Sequence, residues 1–395
     1  MKKLHVFCGF MVVLSFLFCP VTSWALNDWT VIVFMSNDDD DGAIGSANSR
    51  NLNAMAMVGE QPGTKILVQD DRGPKDSYSG ALRLSLEGRT WKTEAKLGEV
   101  NSGSPQALWD CLKWAATKHP AKKYALILNS HGSGVFSWRG TGSVSSSNPG
   151  AVNFDPDRFV SYDHTDNDCL TVFEVGAVLK AFAERLNNGR KLELLGLDAC
   201  LPGGIEVLYQ VREGCEILVA SPDTTPIYGF PYRTIAQSLS DVTMSTEKFA
   251  EVIVRNCGST MAGWRTARAQ ELVGALDNLA IQMLKAMDDT GRKFGLNGLA
   301  SYGGKDRYWD LPKMLTSISN GYADFKGASN KQVIVQIAGE ALESLKSALA
   351  TSQGSMSVVW PTATEYSQWH AFYKALDFSG ASHWDEMLDK WILGR

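Results

Sequence analysis

The sequence predicts an α/β protein built on a mainly parallel sheet, and three observations support that fold class. Five short apolar runs indicate buried strands: 31–35, 66–69, 125–129, 192–197 and 217–220. Between them lie stretches with helical periodicity, such as Pro105–His119, where apolar residues recur at i, i+3, i+4 and i+7. The composition, with 44% hydrophobic and 21% charged residues, is that of an ordinary packed protein. Strands that alternate with helices form parallel sheets covered by helices on both faces.

The length and charge of the chain limit its organisation and its partners. Its 395 residues allow two or three modest domains or one large one. We expect a signal segment over 1–25, an α/β core over 26–244 and a more helical region over 245–395 that completes the fold. The 38 basic and 43 acidic side chains give a net charge of −5, which argues against a nucleic-acid-binding protein.

The first 25 residues have the pattern of a secretory signal peptide. An apolar run over 6–18 follows Lys2 and Lys3, and Ser23 and Ala25 place small residues at −3 and −1 of a cleavage site. An uncleaved membrane anchor is the alternative, but the run is shorter than the roughly 20 residues that a membrane-spanning helix needs. We therefore expect an exported protein, secreted or periplasmic, with no membrane span once the signal is removed.

Five cysteines remain after the signal segment: Cys111, Cys169, Cys200, Cys215 and Cys257. Their spacing is wide and includes no C-x-x-C pair, so we expect neither a zinc site nor a dense disulfide framework. An odd number of cysteines in an exported protein leaves at least one thiol free. A free thiol is a candidate nucleophile.

Two of the predicted strands end in residues that can carry chemistry. The third runs into His131 and Gly132, and the fourth runs into Asp198, Ala199 and Cys200. In a parallel sheet both strand ends lie at the carboxyl edge, where ligands bind. A thiolate is activated beside an imidazole and near a helix N-terminus, and the imidazole then protonates the leaving amine. The backbone N–H groups of Gly132 and Cys200 can face the developing oxyanion, because glycine allows close approach.

Each half of this pair also has a simpler interpretation. A cysteine at a strand end is more often a buried small apolar residue, and a histidine before glycine is more often a loop residue with local hydrogen bonds. Their occurrence together favours catalysis, and a non-catalytic exported binding protein on the same fold is the alternative. An exported serine hydrolase is not supported, because the sequence contains no G-x-S-x-G motif.

The two blocks, His131-Gly132 and Asp198-Ala199-Cys200, resemble the caspase-like cysteine peptidases and most closely the clostripain family. Further stretches are similar to that family's pattern: 29–35, 101–108, 121–134, 220–232, 376–378 and 384–386. The resemblance covers nearly the whole chain after the signal segment. It implies a caspase-like three-layer sandwich, with a mainly parallel central sheet between helices, and a secreted cysteine endopeptidase (a thiol protease) with its catalytic core over 26–244.

The resemblance also implies roles for individual residues. Cys200 would be the nucleophile and His131 the acid/base, as a dyad without an obligatory third member. Asp198 matches the acidic residue that lies in the family's S1 pocket and receives a basic P1 side chain, Arg or Lys. A structural or capping acid is the alternative for Asp198. Asp223 is expected to add to this pocket, but it and two threonines stand where the family carries Glu, so we expect a less acidic pocket without strict Arg preference.

Members of the family often mature by cutting themselves between the His and Cys strands. In 132–168 the only basic residues are Arg139 and Arg158, which flank a Gly- and Ser-rich stretch over 140–151 that is typical of an exposed loop. We therefore predict self-cleavage after one or both of these arginines.

Two acidic stretches, 38–41 and 163–168, offer oxygen ligands of the kind that Ca²⁺ prefers, and some members of the family are calcium-activated. Neither stretch has the spacing of an EF-hand, so we expect solvated loops and no metal site. No cofactor is expected to be required, and Ca²⁺ is retained only as a candidate activator. The expected partners are protein or peptide substrates with basic P1 residues, and no nucleic acid.

Overall fold

The structure, a computed structural model, describes residues 26–38, 42–135, 160–296, 300–302 and 307–394. The predicted signal peptide over 1–25 lies outside these described residues. So do Arg139, Arg158 and the predicted loop over 140–151.

The strands, in chain order, are β1 (Asn27–Asn37), β2 (Thr64–Arg72), β3 (Gly80–Glu87), β4 (Thr90–Gly98), β5 (Ala121–Asn129), β6 (Val160–Asp163), β7 (Asp168–Leu170), β8 (Leu192–Asp198), β9 (Cys215–Ala220), β10 (Ala262–Arg265), β11 (Tyr308–Asp310) and β12 (Ser357–Val359). Eight of them form the central sheet in the order β10-β9-β8-β5-β1-β2-β3-β4. The five strands from β9 to β2 in that order are parallel, whereas β10 and β3 run antiparallel to their inner neighbours. The hairpin β6–β7 and the pair β11–β12 lie outside this sheet.

The helices are α1 (Ala43–Val58), α2 (Pro105–Lys118), α3 (Val172–Leu186), α4 (Ile205–Val211), α5 (Tyr232–Ser238), α6 (Thr246–Val254), α7 (Ala269–Thr290), α8 (Leu311–Ser319), α9 (Lys331–Ala348), α10 (Ala363–Ala375), α11 (Asp377–Gly380) and α12 (Trp384–Leu388). Local sequence explains several of their starts. Ser104 caps α2 just before Pro105, and α3 begins with a capping box in which Thr171 and Glu174 bond each other's backbone N–H groups.

Alternation along the strands divides the core into two layers. In β5, Ile127 packs toward α1, α5 and α6, while its neighbours Leu126 and Leu128 pack toward α2, α3, α4 and α7. Successive side chains of a strand point to opposite faces, and helices cover both, so the central strands are apolar throughout. The five apolar runs lie within β1, β2, β5, β8 and β9, and the α/β class with a mainly parallel sheet is confirmed.

The edges of the sheet differ from the sequence-based picture, because β3, β4 and β10 do not stand out as apolar runs. β4 is mostly exposed or half-buried, with Lys92, Glu94 and Lys96 alternating along it. Charged side chains on an edge strand discourage pairing with other chains. They also interrupt the run of apolar residues by which a buried strand is predicted from sequence. β10 belongs to the region after residue 245, so that region completes the sheet and also supplies helices α6 to α12. No helix in the described ranges combines the length and the apolar composition needed to cross a bilayer.

Candidate active site

The carboxyl ends of β5 and β8 lie side by side. Asn129 is the register partner of Asp198 in this parallel pair. Beyond the last strand residue, the Ser130 N–H donates to the Asp198 carbonyl oxygen at 3.3 Å. The segments that follow the two strands therefore leave the sheet together.

Gly132 lies directly against the peptide between Ala199 and Cys200. A Cβ atom at this position would be 2.7 Å from the Ala199 Cβ and 2.8 Å from the Cys200 carbonyl oxygen. Real side chains do not tolerate such distances, so the contact between these two segments requires glycine at position 132. His131 precedes Gly132, so the imidazole-bearing segment lies against the thiol-bearing segment at the sheet edge.

The Cys200 thiol is half-buried and faces the loop that follows β9. The Thr225 N–H lies 3.4 Å from Sγ, and the Thr225 hydroxyl oxygen lies 3.7 Å from it. The same loop holds the turn after the cysteine, because the Leu201 N–H donates to the Asp223 carbonyl oxygen at 3.1 Å. The helix expected beyond the cysteine begins only at Ile205, so the donor in contact with the sulfur is a loop amide.

His131 is exposed at the sheet edge, and the residues after it are held from two sides. Gly132 forms an isolated antiparallel bridge with Val160 of β6. On the other side, the Tyr308 hydroxyl donates to the Ser133 carbonyl oxygen at 2.9 Å. Because Tyr308 lies in the region after residue 245, that region helps to position the imidazole-bearing segment.

Asp198 is buried below the sheet edge. The Asn129 amide and the Tyr232 hydroxyl both donate to its Oδ2 atom, at 2.6 and 2.7 Å. Burial raises the pKa of Asp198, while the Phe230 N–H and the two side-chain donors act in the opposite direction. Gly229 covers the carboxyl group so closely that a Cβ there would be 2.2 Å from Oδ2. Within the described residues, no Lys or Arg side chain forms an ion pair with this carboxylate.

Asp223 is half-buried on the loop that contacts the thiol. Its Oδ1 accepts the Thr224 N–H at 2.8 Å, and its own N–H donates to the Ser221 hydroxyl oxygen at 3.1 Å. The loop thus brings both the thiol's backbone donor and a second acidic residue to the site. The predicted cleavage positions Arg139 and Arg158 lie outside the described residues.

A row of asparagines that the sequence analysis missed connects Asp198 to β1 and β2. Asn48 of α1 donates to the Oδ1 atoms of both Asn37 and Asn129. Asn129 in turn donates to Asp198, and Asn37 donates to Asp70 at 2.5 Å. We call Asn37, Asn48, Asn51 and Asn129, with the carboxylates Asp70 and Asp198, the asparagine network. Three of its six members, Asn37, Asn129 and Asp198, end parallel strands, so the rule that located His131 and Cys200 could also have located these three.

A second polar group lies at the same edge, on the opposite face of the sheet. Asp38 and Asp163 are only 2% and 0% exposed, so the prediction of solvated loops is wrong at these two positions. They meet because the β6–β7 hairpin packs on the end of β1: the His164 N–H donates to the Asp38 carbonyl oxygen at 3.1 Å. We call Asp38, Asp71, Glu99 and Asp163 the acid cluster. Residues 39–41 lie outside the described residues.

A parallel sheet between helical layers, with a thiol and an imidazole at neighbouring strand ends, is the arrangement of a caspase-like cysteine peptidase. The model of the clostripain family matches residues 24–391, and the chain belongs to this family of cysteine proteases. Clostripain of Hathewaya histolytica is 30% identical over 219 residues. That match covers 50% of this chain and 38% of clostripain, so it spans well under half of that relative's length.

Solved structures share the fold. A secreted C11 cysteine protease from Bacteroides thetaiotaomicron, in complex with an irreversible peptide inhibitor, has a TM-score of 0.64 at 17% identity and covers 91% of this chain and 99% of its own. An inactive zymogen C11 protease from Parabacteroides distasonis has a TM-score of 0.62 at 14% identity, with 90% and 98% covered. At these identities the likeness concerns the fold, and it agrees with the fold class predicted from sequence.

Proposed function

We propose that the chain is an exported cysteine endopeptidase that cleaves after Arg or Lys, with Cys200 as nucleophile and His131 as general acid and base. The observation that supports this most is the contact of Gly132 with the Ala199–Cys200 peptide. This contact holds the imidazole-bearing and thiol-bearing segments together at one sheet edge, which a dyad needs. The Thr225 amide adds a donor on the sulfur.

The proposed reaction has two stages. The Cys200 thiolate attacks the scissile carbonyl carbon, and the oxyanion forms beside the N–H groups of Gly132 and Cys200, each such donor contributing about 2.7–4 kcal/mol. The His131 imidazolium gives its proton to the leaving amine, which leaves an acyl-enzyme thioester. His131 then takes a proton from water, whose oxygen attacks the thioester and releases the acid product and Cys200.

The preference for a basic P1 residue is proposed from the surroundings of Asp198. Its carboxyl group is buried and has donors from Asn129 and Tyr232, but no basic side chain among the described residues neutralises it. An arriving guanidinium or ammonium group would supply that charge, with a hydrogen bond to Oδ1, which has no hydrogen-bond partner among the described residues. Asp223, on the loop that contacts the thiol, is proposed as a secondary acidic contact.

Export and self-processing complete the proposal. The signal-like sequence over 1–25 supports secretion or a periplasmic location. Cleavage after Arg139 or Arg158 would fall between the two dyad segments, and a chain that cuts after basic residues can perform it on itself. Fragment masses should then match cuts at these arginines in the wild type, and the Cys200→Ala chain should stay intact.

The decisive experiment is hydrolysis of matched fluorogenic peptides with Arg, Lys, Asp or Asn at P1. We expect cleavage after Arg and Lys by the wild type and by Cys111→Ala, a control that removes a fully buried thiol of α2. Cys200→Ala should lose at least a thousandfold in kcat/KM with an unchanged melting temperature. Asp198→Asn should lose activity on Arg and Lys peptides while its alkylation by iodoacetamide stays at the wild-type rate.

The outcomes separate the parts of the proposal. Cleavage that depends on Cys200 but occurs only after Asp or Asn would keep the dyad and remove the basic S1 assignment. No Cys200-dependent cleavage of any peptide, with or without added Ca²⁺, would favour a non-catalytic binding protein on this fold.

A further inference from the structure

The short antiparallel pair of β11 and β12 lies outside the central sheet and contacts both segments of the proposed dyad. Within the pair, Tyr308 is the register partner of Val359, and Asp310 is that of Ser357. All four residues are buried. Both strands come from the region after residue 245, so this region reaches the candidate site at more than one point.

Tyr308 holds the segment that follows His131. Its hydroxyl donates to the Ser133 carbonyl oxygen at 2.9 Å. Its ring lies directly against Gly134, where a Cβ atom would overlap the phenol group. Gly134 also has a φ of +79°, a backbone conformation that favours glycine. The turn just beyond the imidazole is therefore shaped to fit this one side chain.

The other strand of the pair, β12, holds the turn that follows Cys200. The Ser357 N–H donates to the Gly203 carbonyl oxygen at 3.0 Å, and Ser357 forms an isolated parallel bridge with Gly204. The Gly203 N–H donates in turn to the Ser221 carbonyl oxygen at 2.9 Å, on the loop after β9. The thiol-bearing turn is therefore bonded like a strand, with β12 as one of its two neighbours.

Glu206 extends this pairing by one more hydrogen bond. Alternate N–H groups of a strand point to opposite edges, so the Val359 N–H points to the same side as that of Ser357. The facing chain has by then entered α4, whose carbonyl oxygens point along the helix axis. The Glu206 Oε1 atom accepts the Val359 N–H instead, at 2.9 Å, and the Tyr373 hydroxyl donates to the same atom at 3.1 Å. Glu206 is fully buried, and its carboxyl group replaces a missing backbone carbonyl.

We propose that the β11–β12 pair is a clamp that sets the position of the His131 imidazole relative to the Cys200 thiol, with Tyr308 and Glu206 as positioning residues. Tyr308 acts on the histidine side, and Glu206 acts on the cysteine side through Val359. The register of Tyr308 with Val359 joins the two sides across one pair of strands. The consequence for catalysis rests on the proposed function, whereas the coupling of the two segments does not.

A second attachment matters because a dyad depends on orientation as well as distance. The contact of Gly132 with the Ala199–Cys200 peptide brings the two segments together at one point. The clamp attaches the same segments again at Ser133 and Gly203. A displacement of about 1 Å between reacting groups can cost about a hundredfold in rate, so the second attachment carries a measurable effect.

The first test compares two substitutions of tyrosine in the full chain. Tyr308→Phe keeps the ring against Gly134 and removes only the hydroxyl group. Tyr366→Phe is the matched control, because the Tyr366 hydroxyl also donates to a backbone carbonyl, that of Asp385 at 3.1 Å. On an Arg peptide we expect Tyr308→Phe to lower kcat about tenfold with little change in KM, because Tyr308 acts through the segment that it holds. Tyr366→Phe should keep the wild-type kcat at a similar loss in melting temperature.

The second test follows the Cys200 thiol without a peptide substrate. Its rate of alkylation by iodoacetamide from pH 5 to 9 reports the thiolate, which a nearby imidazolium stabilises. Tyr308→Phe and Glu206→Leu should each lower the rate at pH 6 several-fold, whereas Glu206→Gln keeps an oxygen acceptor for the Val359 N–H and should retain the wild-type profile. Identical profiles in Tyr308→Phe and Tyr366→Phe would overturn the positioning role, whether or not Glu206→Leu folds.

Hydrogen exchange tests the coupling itself, in the Cys200→Ala chain so that self-cleavage does not interfere. Tyr308→Phe alters only the histidine side, yet backbone exchange should quicken over 201–204 as well as over 131–135, and Tyr366→Phe should quicken neither. Faster exchange confined to 131–135 would overturn the clamp. A wild-type chain that cleaves no peptide and has an unactivated Cys200 would contradict the proposed function alone, because exchange in the two segments measures the clamp without the reaction.

Discussion

The asparagine network and the acid cluster lie on opposite faces of one sheet edge. Their buried carboxylates differ in whether hydrogen-bond donors and a cation surround them. Asp70, in the network, accepts hydrogen bonds from Asn37 at 2.5 Å, Tyr78 at 2.6 Å and Arg72 at 2.9 Å. Asp71, the next residue of β2, has neither a cation nor a hydrogen-bond partner among the described residues. Successive side chains of a strand point to opposite faces of the sheet, so Asp70 and Asp71 lie in different electrostatic environments.

This difference separates buried carboxylates that hold the fold together from buried carboxylates that are still available to a cation. A buried carboxylate that is fully hydrogen-bonded and paired with Arg fixes neighbouring elements relative to each other. A buried carboxylate that faces only other carboxylates destabilises the fold until a cation arrives. Four predictions test this distinction, from the largest expected change in the free energy of unfolding to the smallest.

The largest effect on stability is expected from removing Arg72, the cation that pairs with Asp70 of the asparagine network. Arg72→Met leaves Asp70 buried without its charged partner, and we expect a loss of about 3–5 kcal/mol in the free energy of unfolding. Arg268→Met removes one partner of the exposed pair with Glu271 and should cost at most about 1 kcal/mol. Urea unfolding of both variants checks this, and similar losses would contradict a structural role for the buried pair.

The next largest effect on stability is expected at Asn48, which connects α1 to the ends of β1 and β5. Asn48→Ala leaves the Oδ1 atoms of Asn37 and Asn129 without a donor, which should cost about 1–3 kcal/mol. Because Asn129 also orients Asp198, kcat/KM on Arg peptides should fall several-fold. Asn53→Ala, on the exposed side of the same helix, is the matched control and should change neither quantity. Full activity in a destabilised Asn48→Ala would separate the network from the site.

The third prediction is a dependence of stability on pH through Glu206, a carboxyl group with hydrogen-bond donors but no cationic partner among the described residues. Glu206 is buried and accepts the Val359 N–H at 2.9 Å and the Tyr373 hydroxyl at 3.1 Å, and burial raises its pKa from 4.5 to about 7. The folded chain then holds this proton more tightly than the unfolded chain. The free energy of unfolding should therefore fall between pH 4.5 and 7 through this group.

Glu206→Gln provides the comparison. Stability measured from pH 4 to 8 should show the gap between wild type and variant changing in favour of the variant as pH rises, and levelling above pH 7. Parallel curves would show that this proton is not bound more tightly in the fold.

The smallest effect has the opposite sign from the first. At pH 7, Asp71→Asn removes a carboxyl group whose ionised form is disfavoured in the fold, because burial and the neighbouring carboxylates raise the pKa of Asp71 to about 8, and we expect a gain of about 1 kcal/mol in unfolding free energy. Asp70→Asn, the same substitution one residue earlier, should lose stability because Arg72 is left unpaired. Thermal melts of the two variants compare the faces directly, and a loss in both would contradict the distinction drawn here.

The central sheet could be predicted from sequence because its parallel strands are buried on both faces and read as continuous apolar runs. β4 could not, since its exposed position selects charged residues such as Lys92 and Lys96. β10 has only four residues, and its pairing with β9 rather than its composition makes it a strand.

The candidate site likewise contains residues that the sequence predicts and residues that it does not. His131 and Cys200 each follow a recognisable strand, and a parallel sheet carries such residues to one edge. The acid cluster draws its members from four separate segments, so no local spacing reports it. Glu99 in particular follows the antiparallel hairpin of β3 and β4, whose place at the sheet edge the sequence did not indicate.

The pairing of β5 with β8 has a consequence for a chain cut between residues 136 and 159. The amino-terminal fragment would own β1 to β5 and His131, and the carboxyl-terminal fragment would own β8, β9 and Cys200. These fragments meet in the middle of the sheet, along a mostly buried strand pair, and the Tyr308 hydroxyl of the second donates to the Ser133 carbonyl oxygen of the first. Such a nick would yield a two-subunit protein that copurifies without a covalent bond. Neither half alone would carry both residues of the proposed dyad, so any activity would require the two fragments to associate.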